Sequence, residues 1–93
     1  MYEGLPGEEL ITIGIADLRE GRETIQALLV AIGAPRLREI GLELPEFNLP
    51  IPEHRLYDLL AAQDSDSAHS RYNAFIRRLV SFERAASFLC AKK

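Results

Sequence analysis

The side chains that could do chemistry are few and widely spaced. The 93-residue chain has two histidines, His54 and His69, and one cysteine, Cys90. Neither an HxxxH nor an HExxH spacing is present, and the six glycines form no phosphate-binding loop. A catalytic Cys90–His pair would depend on a residue close to the chain end. These residues predict no metal site, no cofactor and no catalytic residue, and therefore a protein that is not an enzyme.

The sequence Asp64-Ser65-Asp66 begins like a calcium-binding loop. A calcium loop needs glycine at its sixth position and glutamate at its twelfth, and here those positions hold His69 and Phe75. The calcium interpretation therefore fails. A weak, adventitious cation site is a minor alternative. It would consist of Asp64, Asp66 and His69 together with His54.

Glu83 is the acidic residue with the most unusual predicted position. On a helical wheel it falls between Ile76 and Leu79, near the middle of an apolar face. A carboxylate there must be paired or become neutral. We expect a buried ion pair with an arginine of another helix, the candidates being Arg22, Arg36 and Arg38. The alternatives are a residue that sets the register of a dimer contact and, less favoured, a catalytic acid.

The opposite face of the same helix is basic. We call it the arginine ridge and predict it as an interaction surface, formed by Asn73, Arg77, Ser81 and Arg84, with Arg78 nearby. The aromatic residues Tyr72, Phe75 and Phe82 fall on the apolar face instead. Sites for single-stranded nucleic acid usually place rings beside cations, so this arrangement weakens a nucleic-acid interpretation.

Charge is divided unevenly along the chain. Residues 1–66 carry a net charge of −8 and residues 67–93 a net charge of +5, for a total of −3. Such asymmetry is a known indicator of an interaction surface. The alternative is that the basic helix packs beside acidic helices of its own fold.

Apolar spacing predicts helices over residues 8–20, 22–32, 35–40, 52–63 and 68–90. Gly33 is expected to end the second helix, and Pro35 to open a short third one. The last and longest helix is expected to be the central element. The predicted core consists of Ile11, Ile15, Leu18, Ile25, Leu28, Leu29, Leu37, Leu56, Leu59, Leu60, Tyr72, Phe75, Ile76, Leu79 and Phe82.

Residues 42–52, LELPEFNLPIP, contain three prolines, which favour extended backbone at Leu44, Leu49 and Ile51. The segment is also rich in apolar side chains. We therefore expect an extended strap that crosses the helices and buries alternate residues. A proline-rich ligand for a partner groove is the alternative.

The fold class that follows is all-α: a compact irregular bundle of four to five helices with the 42–52 strap and a long C-terminal helix. Residues 1–93 form one domain, with a flexible tail at 1–7 and a frayed end at 91–93. The hydrophobic content of 47% supports a folded chain rather than a disordered one.

The predicted function is a non-catalytic protein-interaction or regulatory module. Its partner is another protein or a second copy of the chain in a homodimer. The alternative is a nucleic-acid-binding regulator that uses the basic face of the last helix, and a small enzyme is less favoured. The single cysteine, the acidic N-terminal sequence and the lack of a long apolar run favour a cytoplasmic location without membrane contact.

Overall fold

A computed structural model describes residues 4–91 and the side chains of residues 4–89. Within that range the chain forms four helices: α1 (Glu8–Arg19), α2 (Ile25–Glu39), α3 (Pro52–Gln63) and α4 (Ala68–Ala91). These residues contain no strand, so the all-α bundle is confirmed. Of the predicted tail at 1–7 and frayed end at 91–93, residues 1–3, 92 and 93 lie outside the described range.

Glycines end both α1 and α2 by the same hydrogen-bonding pattern. After α1, the Gly21 N–H donates to the Leu18 carbonyl at 3.1 Å and the Arg22 N–H donates to the Asp17 carbonyl at 2.8 Å. Gly21 has φ of 73°, a left-handed conformation that glycine adopts at little cost. Gly41 ends α2 in the same way with φ of 99°. The predicted helix ends at residues 20 and 40, directly before these glycines, are confirmed to within one residue.

The predicted break between a second and a third helix is wrong, because α2 continues through both Gly33 and Pro35. Gly33 is buried against α4, where a Cβ atom would lie 2.8 Å from Leu79 Cδ1. Glycine is therefore present to allow close packing rather than to end the helix. Pro35 removes one backbone hydrogen bond, while burial of Leu37 beyond it, 0% exposed, favours continuing the helix.

Helix α2, and not the long last helix, is the central element. It packs against each of the other three helices. Its side chains are buried around much of the circumference, since Ala27, Leu28, Leu29, Val30 and Leu37 are all 0% exposed. The long helix α4 cannot take this position because much of its circumference is polar and exposed.

Helices α1 and α2 cross closely at Gly14. A Cβ atom at this position would lie 2.4 Å from both the Gln26 carbonyl oxygen and Val30 Cγ2. Such distances are far inside normal contact, so only glycine permits this crossing.

The predicted core residues all lie in the core or pack against it. The structure adds six buried residues to this core, three of them alanines: Leu10, Ala27, Val30, Ile40, Ala68 and Ala86. Val80, which the helical wheel places on the apolar face of α4, is 36% exposed instead.

Residues 42–49 form neither helix nor strand. Half-buried apolar side chains from this segment pack against the core, namely Leu42, Leu44, Phe47 and Leu49. Ile51 departs from the expected extended backbone: it has φ of 44° and is 65% exposed. The reason is its position directly before α3, where its carbonyl accepts from the Arg55 N–H at 3.2 Å.

Candidate functional site

Helix α4 is held at its start by the loop that precedes it. The Asp66 N–H donates to Asp64 Oδ1 at 3.1 Å, and the Arg71 N–H donates to the Ser67 carbonyl at 2.9 Å. Asp64 therefore stabilises the turn before α4, and Ser67 supplies the carbonyl of an early helical hydrogen bond. The buried side chain of Ala68, 0% exposed, anchors the first turn to the core.

Farther along α4, one side packs on the rest of the protein. Leu79, Phe82 and Ala86 are buried. The rings of Tyr72 and of Tyr57 on α3 lie 5.9 Å apart and are tilted by 59°. Burial raises the pKa of Tyr72, and the charge of Glu53 raises it further.

The arginine ridge lies on the side of α4 that faces away from this packing. Asn73, Arg77, Ser81 and Arg84 are all exposed. Across the described residues, no carboxylate lies within 4.0 Å of the guanidinium of Arg77 or Arg84. Seven residues separate these two arginines, which places them about 10.5 Å apart along the helix axis.

Arg78 differs from the other ridge residues because it has an intramolecular partner. Its guanidinium forms an ion pair with Glu9 of α1. The same part of α4 also meets Gly7, where a Cβ atom would lie 2.9 Å from the Arg78 carbonyl oxygen. Arg78 therefore joins α4 to the start of α1, and its charge is partly compensated.

Phe88 adds an aromatic ring to the ridge. It is 60% exposed, and it follows Ser81 by seven residues and Arg84 by four, so it shares their face. The sequence prediction considered only aromatic residues on the apolar face and missed Phe88. The same helical wheel, continued by one turn, would have found it.

Glu83 is half-buried between α4 and α2. Its Oε2 atom lies 2.9 Å from the position of a Cβ on Gly33, so the missing side chain of Gly33 leaves room for the carboxylate. Burial raises the pKa of Glu83, while the charge of Arg36 opposes this effect.

The arginines proposed to pair with Glu83 have other contacts. Arg36 Nη2 donates to Ser87 Oγ at 3.2 Å, and Arg36 Nη1 lies 3.6 Å from Glu39. Arg22 binds Asp17 at 2.9 Å, and the Arg38 guanidinium lies 5.6 Å from the centre of the Phe47 ring. In the part of the chain that the structure describes, Glu83 has no ion pair within 4.0 Å.

Asp17 is a buried charged residue that the sequence prediction missed. It is 7% exposed and lies in the last turn of α1. Thr24 Oγ1 donates to Asp17 Oδ2 at 2.6 Å and Arg22 Nη2 donates to Oδ1 at 2.9 Å. The Thr24 hydrogen bond is the main cause that lowers the pKa of Asp17; burial raises it, and Arg22 lowers it further.

Thr24 also caps α2, because its Oγ1 accepts from the Ala27 N–H at 3.1 Å. A threonine directly before an apolar helical stretch is a recognisable N-cap signal. Asp17 and Thr24 lie seven residues apart in the chain, and no local sequence pattern predicts their contact.

The histidines make separate local contacts. His54 Nε2 lies 3.5 Å from Asp58 within α3, and His69 contacts Asn73 at 3.2 Å within α4. Among residues 4–89, no group of three or more histidine, cysteine, aspartate or glutamate side chains could hold a metal ion. None of the described helices combines the length and the apolar character needed to cross a membrane.

No protein-family model matches this chain, and comparison with curated proteins and with solved structures finds no match either. Functional inference therefore depends on the geometry described above.

Proposed function

We propose that this chain is a non-catalytic protein-interaction or regulatory module that binds an acidic surface of its partner through the arginine ridge. The observation that carries this proposal is the exposure of Arg77 and Arg84 with no carboxylate of the described residues within 4.0 Å, on a chain with 14 acidic residues. Guanidinium groups bind carboxylates with two parallel hydrogen bonds, which gives such contacts directionality.

The pairing of several other arginines supports this choice of surface. Arg22, Arg55 and Arg78 each have a carboxylate partner at ion-pair distance. The exposed ring of Phe88 extends the ridge with apolar area. Arginine and aromatic residues are enriched in protein interfaces and among the residues that dominate their affinity.

The partner is another protein or a second copy of this chain. A second copy would supply carboxylates from its residues 1–66, whose net charge is −8. A homodimer with the ridge at its interface therefore belongs to the same proposal. We place the protein in the cytoplasm, as its single cysteine favours, and propose no membrane contact.

Affinity capture from native lysate tests the proposal with three chains. These are the natural chain, the ridge variant Arg77→Glu/Arg84→Glu, and the control variant Arg19→Glu/Arg38→Glu. The control makes the same charge change at exposed positions on α1 and α2. We expect a partner that is retained by the natural chain and the control, lost by the ridge variant, and unaffected by nuclease. Equal capture by all three chains would contradict the proposal.

A nucleic-acid-binding regulator is the second candidate, and the exposed Phe88 favours it. A ring beside arginines is the combination that single-stranded nucleic acid requires, although the total charge of −3 opposes it. If Arg77 and Arg84 each contact one phosphate, log affinity for a single-stranded nucleic acid should fall with log salt with a slope of about −1.4. Absence of binding at low salt would exclude this candidate.

A further inference from the structure

A cavity lies where the turn between α1 and α2 meets the segment after α2. Its volume is about 190 Å³, comparable to the roughly 150 Å³ of a cavity that can hold benzene. Leu18, Phe47 and Leu49 supply its apolar lining. The cavity can therefore hold a group of about six non-hydrogen atoms.

The charged residues at the turn side of the cavity are already paired. Arg22 binds Asp17 at 2.9 Å and Glu20 at 3.1 Å. Glu23 accepts two hydrogen bonds from Arg55, at 2.9 and 3.1 Å. These ion pairs offset the charges of Arg22 and Glu23 in the lining.

Glu46 is different. It lines the cavity beside Asn48, is exposed, and has neither a hydrogen bond nor an ion pair to any residue in the described range. The nearby cation Arg38 stacks on the Phe47 ring, 5.6 Å from its centre. A cavity with three apolar side chains and one unpaired carboxylate in its lining suits a cation that carries a short apolar body.

We propose that this cavity binds a small organic cation, an alkylammonium group on a short apolar body. The ammonium group donates to the Glu46 carboxylate and to the Asn48 side-chain carbonyl. The alkyl part lies against Leu18, Phe47 and Leu49. This site is distinct from the arginine ridge, and neither proposal depends on the other.

Protein NMR of the full chain tests the site with n-butylammonium as the probe. We expect saturable shifts of the backbone amides of Gly21 and residues 46–49. Neutral n-butanol and anionic butyrate have the same alkyl chain and should give no saturable shift at these amides. Saturation with n-butanol at the same concentration would overturn the proposal, because the carboxylate would then contribute nothing.

The Glu46→Gln variant should bind n-butylammonium about tenfold more weakly, the usual loss for one hydrogen bond between charged groups. Glu43→Gln is the matched control, an exposed carboxylate of the same segment that does not line the cavity, and its affinity should equal that of the natural chain. Equal affinity of all three chains would overturn the proposal. Circular dichroism checks that both variants keep their helices.

An alkylammonium group can be a free amine or a lysine side chain of another protein. A short blocked peptide with a central lysine distinguishes these sources. Tighter binding of the peptide than of n-butylammonium would identify a peptide-borne lysine, and weaker binding a free amine; either result supports the alkylammonium assignment. No saturable binding of either probe would overturn it.

Discussion

Thr24 holds together two features at the start of α2. Its hydroxyl oxygen accepts from the Ala27 N–H and its hydroxyl proton is donated to Asp17. One side chain therefore caps a helix and satisfies a buried carboxylate. This double role makes Thr24 more important for stability than its small size suggests.

We expect Thr24→Ala to lower the free energy of unfolding by at least about 1 kcal/mol, the typical loss of an N-cap side chain. Thr24→Ser retains both hydrogen bonds and should behave like the natural chain. Urea unfolding of the three chains measures the difference. If the alanine variant were as stable as the serine variant, the Thr24 hydroxyl would have no net effect on stability.

The Thr24→Ala variant should also change how stability depends on acidic pH. The folded state lowers the pKa of Asp17, so its contribution to stability is present above the pKa of the unfolded chain and is lost as pH falls through the folded value. Because the Thr24 hydrogen bond is the largest cause of the shift, we expect a weaker acid dependence in Thr24→Ala.

The pKa shift of Glu83 is opposite in direction to that of Asp17, so its effect on stability changes with pH in the opposite sense. Its pKa is raised in the folded protein, so the folded state binds the proton more tightly than the unfolded one. The resulting stabilisation is present below the ordinary carboxyl pKa and is lost as pH rises through the folded value. We expect Glu83→Gln to be more stable than the natural chain at neutral pH, with an advantage that shrinks toward about pH 4.

Urea unfolding of both chains at several pH values checks this prediction. A Glu83→Gln chain that is less stable at neutral pH would indicate that the attraction of Arg36 outweighs burial. Glu43→Gln, an exposed carboxylate, serves as the control for a general effect of charge.

At the scale of the helices, Gly14 and Gly33 are both interior glycines, but their surroundings differ. The Cβ of an alanine at position 14 would meet a backbone oxygen at 2.4 Å, whereas at position 33 it would meet the side-chain ends of Leu79 and Glu83 at 2.8 and 2.9 Å. Backbone cannot move without shifting a helix, while side-chain ends can rotate.

We therefore expect Gly14→Ala to lower the free energy of unfolding by about 2–3 kcal/mol, as overpacked cores do. Gly33→Ala should change it by less than about 1 kcal/mol, because the higher helix propensity of alanine offsets the local crowding. Thermal and urea unfolding compare the two variants. A larger loss for Gly33→Ala would mean that α2 and α4 cannot adjust around the new methyl group.

At the scale of the whole molecule, the ridge faces solvent while α2 holds the core. Arg77→Glu/Arg84→Glu should change the free energy of unfolding by less than about 0.5 kcal/mol, as exposed substitutions without lost contacts usually do. Urea unfolding of this variant beside the natural chain measures the change. A loss above about 2 kcal/mol would assign the arginines a structural role and remove the basis for a binding surface.

Local patterns were sufficient to predict much of α4 and its surroundings. The helix bounds, the predicted core and the exposure of Arg77, Ser81 and Arg84 follow from spacing along one helix, because side chains three and four residues apart share a face. Phe88 was also within reach of this reasoning. Local patterns could not predict that α2 is continuous, because Gly33 and Pro35 locally favour a helix end and a new helix start.

The sequence by itself determined that this protein is helical, that α1 ends before Gly21, and which face of α4 is basic, since these properties depend on near neighbours in the chain. Only the tertiary structure decided that Gly33 lies inside a helix, that α2 is central and that Asp17 meets Thr24. It also decided that Arg78 has a carboxylate partner, whereas Arg77 and Arg84 have none among residues 4–89. These outcomes depend on how helices cross, because the crossing determines which donors and acceptors meet and how much backbone two helices can bring together.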